Sequence, residues 1–121
     1  MQPKHKKLMI ADDDTGIVDF LTILLEYEGY EVSSTYNGAT LLDIESGFPD
    51  LILLDIWMSG VDGRDVCKKL KQKGTTQNIP ILMISASSDI ERSAMDAGAD
   101  DFLAKPFDME ELLGKIARHL S

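Results

Sequence analysis

The chain of 121 residues is 44% hydrophobic and 27% charged, which is ordinary for a globular protein, so we expect a single domain over 1–121. Its net charge of −9 predicts a surface that repels nucleic acid, and its one cysteine excludes an intramolecular disulfide and favours a cytoplasmic setting. No apolar run approaches the roughly 20 residues of a membrane-spanning helix, so neither membrane insertion nor direct nucleic-acid binding is expected.

Apolar, strand-like runs alternate with helix-like segments along the chain. The predicted strands are, in chain order, 7–11, 31–36, 51–55, 81–85 and 101–104. The predicted helices are 14–29, 39–46, 63–74, 88–98 and 108–120, and glycine ends the first four. Five strand–helix units favour a parallel sheet covered on both faces, with right-handed connections. The second strand is the most polar, so we place it at an edge, which predicts the doubly wound, flavodoxin-like α/β class with five helices and strand order 2-1-3-4-5.

The residues that follow the inner strands carry the candidate chemistry, because ligands of an open parallel sheet bind beyond the carboxyl ends of its strands. These residues are Asp12, Asp13 and Asp14 after strand 1, Asp55 at the end of strand 3, Ser85 at the end of strand 4 and Lys105 after strand 5. Strand order reverses between strands 1 and 3, so we expect Asp12, Asp13 and Asp55 to be neighbours. Neighbouring carboxylates repel one another unless a cation intervenes, and a hard divalent ion, Mg²⁺ or Mn²⁺, suits oxygen ligands.

Several of these polar residues also have a purely structural interpretation. Asp14 precedes a predicted helix and is equally well explained as its cap. Ser85 can hydrogen-bond the backbone at a strand end. Lys105 follows a buried strand and precedes Pro106, which constrains its direction and suggests a cis peptide bond. Helix caps do not require three acids at one switch point, so we favour a functional site.

Four motifs, "MIADDD", "LILLDIWMSGVDG", "MISAS" and "GADDFLAKPF", make the chain resemble the receiver domain of the two-component response-regulator family over essentially its whole length. The resemblance implies that Asp55 is the phosphoacceptor. It implies that Asp13, Asp55 and the backbone carbonyl of Trp57 bind Mg²⁺ directly, while Asp12 acts largely through a bound water. It also implies that Lys105 pairs with the phosphoryl group.

The resemblance assigns switch roles to other residues. Ser85 takes the position of the switch Thr/Ser, Phe102 that of the aromatic switch, and Ala86 that of the small residue that leaves room for the phosphoryl group. On phosphorylation we expect Ser85 to move toward the phosphoryl group and Phe102 to rotate inward. The readout is expected on the face made by the fourth helix, the fifth strand and the fifth helix, toward an unidentified target or output domain. A homodimer that forms on phosphorylation is a further expectation.

The expected phosphodonor is a phosphohistidine on a sensor histidine kinase or a phosphotransfer protein. The chain is not expected to be an enzyme beyond its own phosphorylation and dephosphorylation. By the same resemblance, the partner's helical phosphotransfer domain is expected to dock on Asp14, Thr15, Ile17, Phe20 and Pro106. Core packing explains Ile17 equally well.

Two features of the sequence lie close to the expected acceptor, Asp55. Ser59 and Gly60 stand where the family commonly has a proline, four residues after the acceptor, so we expect a more mobile loop there. Trp57 is the only tryptophan in the chain, and we expect its indole to cover the site against water and to prolong the life of the phosphoryl group. The alternative is that the indole packs on the loop or points into solvent.

Three other functions fit parts of this sequence. A phosphatase of the haloacid-dehalogenase type also begins with a strand and two aspartates, but Gly16 stands where that class has threonine or valine. A flavin-binding flavodoxin shares the fold, but "DDDTG" would repel the flavin phosphate. A phosphorylation-independent interaction module remains as the alternative that only a phosphorylation assay decides.

Overall fold

The computed structural model describes residues 6–58, 60–87 and 91–120. The strands are β1 (Lys7–Ala11), β2 (Glu31–Thr35), β3 (Leu51–Asp55), β4 (Trp57–Met58), β5 (Val61–Asp62), β6 (Ile81–Ser85) and β7 (Asp101–Ala104). The helices are α1 (Thr15–Tyr27), the 3-10 helix η1 (Gly38–Asp43), α2 (Gly63–Gln72), α3 (Glu91–Asp96) and α4 (Met109–Leu120). Within these ranges, no helix combines the length and the apolar character needed to cross a bilayer.

Five of the strands form one parallel sheet in the order β2-β1-β3-β6-β7. This confirms the predicted order, with β6 and β7 as the predicted strands 4 and 5. All residues of β3 and β6 are buried, whereas β2 has no fully buried residue. The difference follows from composition, because a central parallel strand has both faces covered and an edge strand does not.

The sheet separates two apolar layers, since successive residues of a strand point to opposite faces. In β3, Leu51 and Leu53 belong to the layer under α1 and α4, whereas Ile52 and Leu54 belong to the layer under η1, α2 and α3. Cys67, on α2, is fully buried in the second layer. The prediction of a sheet covered on both faces is therefore confirmed.

The second predicted helix differs from the prediction in type and extent. We expected a helix over 39–46, and the structure has the 3-10 helix η1 instead. The backbone carbonyl of Asn37 accepts a hydrogen bond from the Thr40 N–H, three residues on, and from the hydroxyls of Thr35 and Thr40. These local bonds compete with the α-helical pattern and tighten the turn.

The other helices lie inside their predicted ranges and begin at aspartate caps where the structure describes the cap. Asp14 accepts hydrogen bonds from the first backbone N–H groups of α1, and Asp62 and Asp108 do so for α2 and α4. The cap prediction for Asp108 is confirmed, and Asp14 has the structural role that we considered. Residues 88–90 of the fourth predicted helix lie outside the described residues, as does Ser59 of the acceptor loop.

A short hairpin after β3 was not predicted. β4 and β5 pair antiparallel, with Trp57 opposite Asp62. Gly63, next in the chain, lies against the end of β3. A Cβ atom there would lie 2.4 Å from the carbonyl oxygen of Asp55 and 3.0 Å from the Cα of Ile56. Only glycine allows this close approach, so the start of α2 and the backbone of Asp55 are packed directly together.

Candidate functional site

Three aspartates converge at the carboxyl edge of the sheet. β1 lies beside β3 with Ala11 opposite Leu54, and this register brings the residues after β1 next to Asp55. One carboxylate oxygen from each of Asp12, Asp13 and Asp55 lies within 4.8 Å of the others. Asp12 and Asp55 are buried, whereas Asp13 is exposed. The sequence-based expectation that the three are neighbours therefore agrees with the structure.

Lys105, which follows β7, brings a positive charge to the same edge. Its ammonium lies 3.1 Å from Asp12 Oδ2 and 3.8 Å from Asp55 Oδ1. The other oxygen of Asp12 accepts a hydrogen bond from the backbone N–H of Asp14 at 2.9 Å. Lys105 is thus paired mainly with Asp12 and stands within reach of Asp55. The Lys105–Pro106 peptide bond is cis, as the sequence suggested.

Burial and the neighbouring charges shift the pKa of Asp55. Burial raises its pKa, and the negative charges of Asp12 and Asp13 raise it further. The positive charge of Lys105 and a hydrogen bond from the Ile56 backbone offset part of the increase, and the resulting pKa is about 6. A cation between the carboxylates would remove the repulsion, so the donor set fits a hard divalent metal ion.

A cavity of 370 Å³ opens beside Asp55. Its lining residues are Asp55, Trp57, Ser85, Ala86, Ser87 and Lys105. Ser85 is buried, and its hydroxyl accepts a hydrogen bond from the Ser87 backbone N–H at 3.1 Å. That bond is the strand-end role considered from the sequence, yet the same residue lines the cavity. Trp57 has 59% of its surface exposed and still forms part of the cavity wall.

Arg64 is a residue of this region that the sequence reasoning missed. Its guanidinium carbon lies 5.4 Å from the centre of the Trp57 ring, which is a cation–π distance. It also forms a bidentate ion pair with Asp62 and donates to the Ser93 hydroxyl on α3. The spacing Asp62–Gly63–Arg64 at a helix start was visible, but nothing in it indicated contact with Trp57.

Phe102 differs from the expected starting position. We expected a ring that rotates inward on phosphorylation. In this structure the residue is already buried, with 6% of its surface exposed, and it packs in the layer under η1, α2 and α3. β7 places Phe102 opposite Met83 of β6, and the two share that layer. Its assignment as a switch residue stays a prediction.

The expected docking residues divide between a groove and the start of α1. A second cavity, of 450 Å³, is lined by Ile17, Phe20, Ala86, Lys105, Pro106 and Phe107. Phe20 is 49% exposed although it is a large apolar side chain. Asp14 and Thr15 lie at the exposed beginning of α1. The structure therefore brings Ile17, Phe20 and Pro106 into one apolar groove beside the acidic cluster.

Comparison with known proteins agrees with this geometry. The family model described as "Response regulator receiver domain" matches residues 8–117. The transcriptional regulator RpaA of Synechocystis, named as DNA-binding, is 40% identical over 116 residues, covering 91% of this chain and 47% of that protein. The response regulator ArlR of Staphylococcus aureus is 38% identical over 113 residues, covering 91% of this chain and 50% of that protein. The chain thus spans about half the length of these curated relatives.

Two solved structures extend the likeness to the fold. A receiver domain protein from Methanospirillum hungatei, described as CheY-like, has a TM-score of 0.87 and 32% identity, covering 97% of this chain and 94% of that one. The response regulator TrrA of Thermotoga maritima, in complex with Mg²⁺-BeF, has a TM-score of 0.85 and 31% identity, covering 95% and 99%. The receiver-domain model matched over residues 8–117 favours that family over the haloacid-dehalogenase and flavodoxin alternatives. The chain belongs to the response regulator family and is a receiver domain of two-component signalling.

Proposed function

We propose that this receiver domain accepts a phosphoryl group on Asp55 from a phosphohistidine of a sensor histidine kinase or a phosphotransfer protein. The observation that carries the proposal is the convergence of Asp12, Asp13 and Asp55 with the Lys105 ammonium beside a cavity. The domain then acts as a signalling switch, and its only catalysis is of its own phosphorylation and dephosphorylation.

In the transfer step an oxygen of Asp55 attacks the phosphorus atom. The new oxygen–phosphorus bond forms as the bond to the histidine nitrogen breaks, and the electron pair returns to the imidazole. Lys105, 3.8 Å from Asp55, can offset negative charge on the phosphoryl oxygens without a large movement. The Ser85 hydroxyl can donate to another of those oxygens from the cavity wall, and the adjacent Ala86 adds only a methyl group there.

The acidic cluster fits a bound Mg²⁺, with Mn²⁺ as a chemically similar substitute. Asp13, Asp55 and the backbone carbonyl of Trp57 would hold the ion directly, and Asp12 largely through a water. Bound there, the ion supplies positive charge that offsets the charge on the transferred group. The Thermotoga maritima relative is described in complex with Mg²⁺-BeF, and its similar fold and 31% sequence identity support a divalent-ion site in this chain.

The partner's docking surface is proposed to be the groove lined by Ile17, Phe20 and Pro106, together with Asp14 and Thr15 at the start of α1. An exposed phenylalanine next to an apolar groove of 450 Å³ suits contact with the apolar face of a helical phosphotransfer domain. Because Lys105 and Ala86 line this groove and the Asp55 cavity alike, a partner seated in it would reach the acceptor.

The signal is proposed to leave through the face made by α3, β7 and α4. Since Phe102 is buried in this structure, switching would exchange this inward ring with an exposed rotamer, and phosphorylation would favour the inward one by drawing Ser85 toward the phosphoryl group. Burying a phenyl ring is worth about 2 kcal/mol, enough to shift such an equilibrium more than tenfold. A homodimer that forms on phosphorylation could use the same face.

The downstream target is left open by the site. The net charge of −9 argues against direct nucleic-acid contact by this chain. Since RpaA is named as DNA-binding and the chain covers 47% of it, DNA contacts in a longer product are proposed to lie in an output domain.

Docking is tested separately from chemistry. Phe20→Ala should slow phosphoryl transfer from the cognate phosphohistidine partner several-fold, while uptake from acetyl phosphate with Mg²⁺ stays at the wild-type rate. Ile23→Ala is the matched control, because Ile23 is also an exposed apolar residue of α1 but is 71% exposed and away from the groove-lining set. Equal loss with both phosphodonors would indicate a damaged fold, and normal transfer from the partner would place docking elsewhere.

A further inference from the structure

The Trp57 indole takes part in two contacts. It lines the 370 Å³ cavity together with Asp55 and Ser85. Arg64 lies 5.4 Å from its ring centre and itself lines a separate cavity of 270 Å³ between α2 and α3. The indole therefore links the wall of the Asp55 cavity to the Arg64 guanidinium.

Arg64 is itself held by directed contacts. Its Nε and Nη2 atoms donate to the two carboxylate oxygens of Asp62 at 3.0 and 2.8 Å, and its Nη1 atom donates to the Ser93 hydroxyl at 2.9 Å. Bidentate pairing of a planar guanidinium fixes both its position and its plane. The hydrogen bonds from Arg64 also lower the pKa of Asp62, which keeps that carboxylate charged and able to hold the guanidinium. A side chain so constrained can hold a neighbouring side chain in place.

Among the residues that the structure describes, Trp57 is held by a short strand pairing. The indole is 59% exposed, and its strand β4 has only two residues, paired with the two residues of β5. Asp62 is both the β5 partner of Trp57 and the anchor of Arg64. Trp57, Asp62 and Arg64 thus form a closed ring of contacts, made of one strand pairing, one ion pair and one cation–π contact.

We propose that Arg64 is a positioning residue that holds the Trp57 indole over the entrance of the Asp55 cavity and thereby slows hydrolysis of the phosphoryl group. The proposal rests on the proposed function of Asp55. In hydrolysis a water oxygen attacks phosphorus as the bond to Asp55 breaks, which releases inorganic phosphate and returns the carboxylate, with a proton passing to solvent. A fixed indole reduces the access of that water, and a free indole does not.

The hydrogen bond to Ser93 is a second, weaker restraint on Arg64. Ser93 lies on α3, which belongs to the proposed signalling face, so a displacement of α3 would loosen one of the bonds that orient Arg64. Loss of the Ser93 hydroxyl leaves the Asp62 pair intact. Ser93→Ala is therefore expected to have the same direction of effect as loss of Arg64 and a smaller size.

The test combines phosphoryl lifetime with the fluorescence of Trp57, the only tryptophan. Arg64→Met should speed loss of the phosphoryl group in Mg²⁺ about two- to fivefold, the range that an exposed cation–π contact supports. Without any phosphodonor, it should also increase quenching of Trp57 by acrylamide. Lys69→Met is the matched control, because it removes one positive charge from an exposed position of the same helix. It should change neither the decay rate nor the quenching.

A double-variant cycle separates positioning from a general structural effect. Trp57→Ala should speed decay by itself, and adding Arg64→Met to it should change the rate no further, because Arg64 acts through the indole. Arg64→Lys, which keeps the charge but loses the planar fork, should fall between wild type and Arg64→Met. Thermal unfolding of each variant checks that the fold is intact.

The outcomes are separable. An equal acceleration by Arg64→Met in the presence and in the absence of Trp57 overturns the inference, as does unchanged quenching in a folded Arg64→Met protein that takes up phosphoryl normally. Failure of the wild-type protein to accept any phosphoryl group from acetyl phosphate in Mg²⁺ overturns the proposed function itself, and with it the effect on lifetime.

Discussion

Two carboxylates of the same sheet, Asp55 and Asp101, have opposite environments. Asp55 ends β3 among Asp12 and Asp13, and burial together with their charges raises its pKa to about 6. Asp101 begins β7 and contacts three basic side chains of α4, which are Lys115, Arg118 and His119. Both are poorly exposed, so the difference in their chemistry comes from the sign of the neighbouring charges.

The two sites differ in what they leave available. Burial by itself would raise the pKa of Asp101, but hydrogen bonds from Lys115, His119 and the Phe102 backbone outweigh it and hold that pKa well below its usual range. The carboxylate of Asp101 forms ion pairs with basic side chains of α4, and these pairs connect β7 to α4. The negative charge of Asp55 is repelled by Asp12 and Asp13, and a cation bound between the carboxylates would relieve that repulsion. A carboxylate whose pKa is raised by neighbouring negative charges is typical of functional sites.

The largest expected effect follows directly from this contrast. Asp55→Asn should abolish phosphoryl uptake from acetyl phosphate, because the nucleophilic oxygen is replaced by an amide. Asp101→Asn should take up one phosphoryl group, as the wild-type protein does. Intact mass spectrometry measures both. Labelling of Asp55→Asn to the wild-type level would show that the acceptor lies elsewhere.

Stability should show the reverse order. Asp101→Asn should lower the free energy of unfolding at pH 7 by about 2 kcal/mol, because it leaves the partly buried charged donors of α4 without their anion. The folded-state pKa of Asp101 lies below its unfolded value of 3.8, so its stabilising effect is complete above that pH and is lost as the pH falls further. In urea unfolding at pH 7, 5 and 3, the difference in unfolding free energy between wild type and Asp101→Asn should therefore shrink only at pH 3. A deficit constant down to pH 3 would contradict the assigned ion pairs.

Metal binding should separate the two sites again. Adding Mg²⁺ at about a hundred times its dissociation constant should stabilise the wild-type protein by about 3 kcal/mol, measured as a rise in the unfolding midpoint. Asp13→Asn should lose most of this rise, and Asp101→Asn should keep it. A rise of equal size in all three proteins would mean that Mg²⁺ binds outside the acidic cluster.

The smallest expected effect concerns the cover of the Asp55 cavity. Trp57→Asn supplies both a hydrogen-bond donor and an acceptor that can orient a water, so loss of the phosphoryl group in Mg²⁺ should be several-fold faster. This corresponds to about 1 kcal/mol in the barrier. Wild-type fluorescence should change on adding Mg²⁺ and again on adding acetyl phosphate. An unchanged decay rate together with unresponsive fluorescence would remove the indole from the site.

The sheet could be predicted from the sequence because its signals are local and strong. The apolar runs of β3 and β6 and the polar run of β2 set the strand order, and parallel strands necessarily deliver their following residues to one edge. Asp12, Asp13, Asp55 and Lys105 could therefore be assembled without coordinates. The sequence thus predicted that these four side chains meet at one edge of the sheet, and the structure brings them together there.

The remaining features depend on contacts that local patterns do not encode. In the 3-10 helix η1, the hydroxyls of Thr35 and Thr40 donate hydrogen bonds to the Asn37 carbonyl and compete with the α-helical pattern. Residue propensities do not contain this information. The stacking of Arg64 on Trp57 depends on the β4–β5 hairpin, which is too short to recognise from periodicity. The burial of the Phe102 ring depends on its packing in the layer under η1, α2 and α3, which brings together residues distant in sequence.

The burial of Cys67 has a practical consequence for observing this molecule at work. Burial raises the pKa of its thiol to about 11, so it is protonated and sealed inside the core at neutral pH. A maleimide reagent should not react with Cys67. A cysteine introduced on the surface of α3, for example at Glu91, would then be the sole reactive thiol. An acceptor dye attached there would pair with Trp57 as the natural energy-transfer donor. The distance between the acceptor loop and α3 could then be followed in real time without replacing any native cysteine.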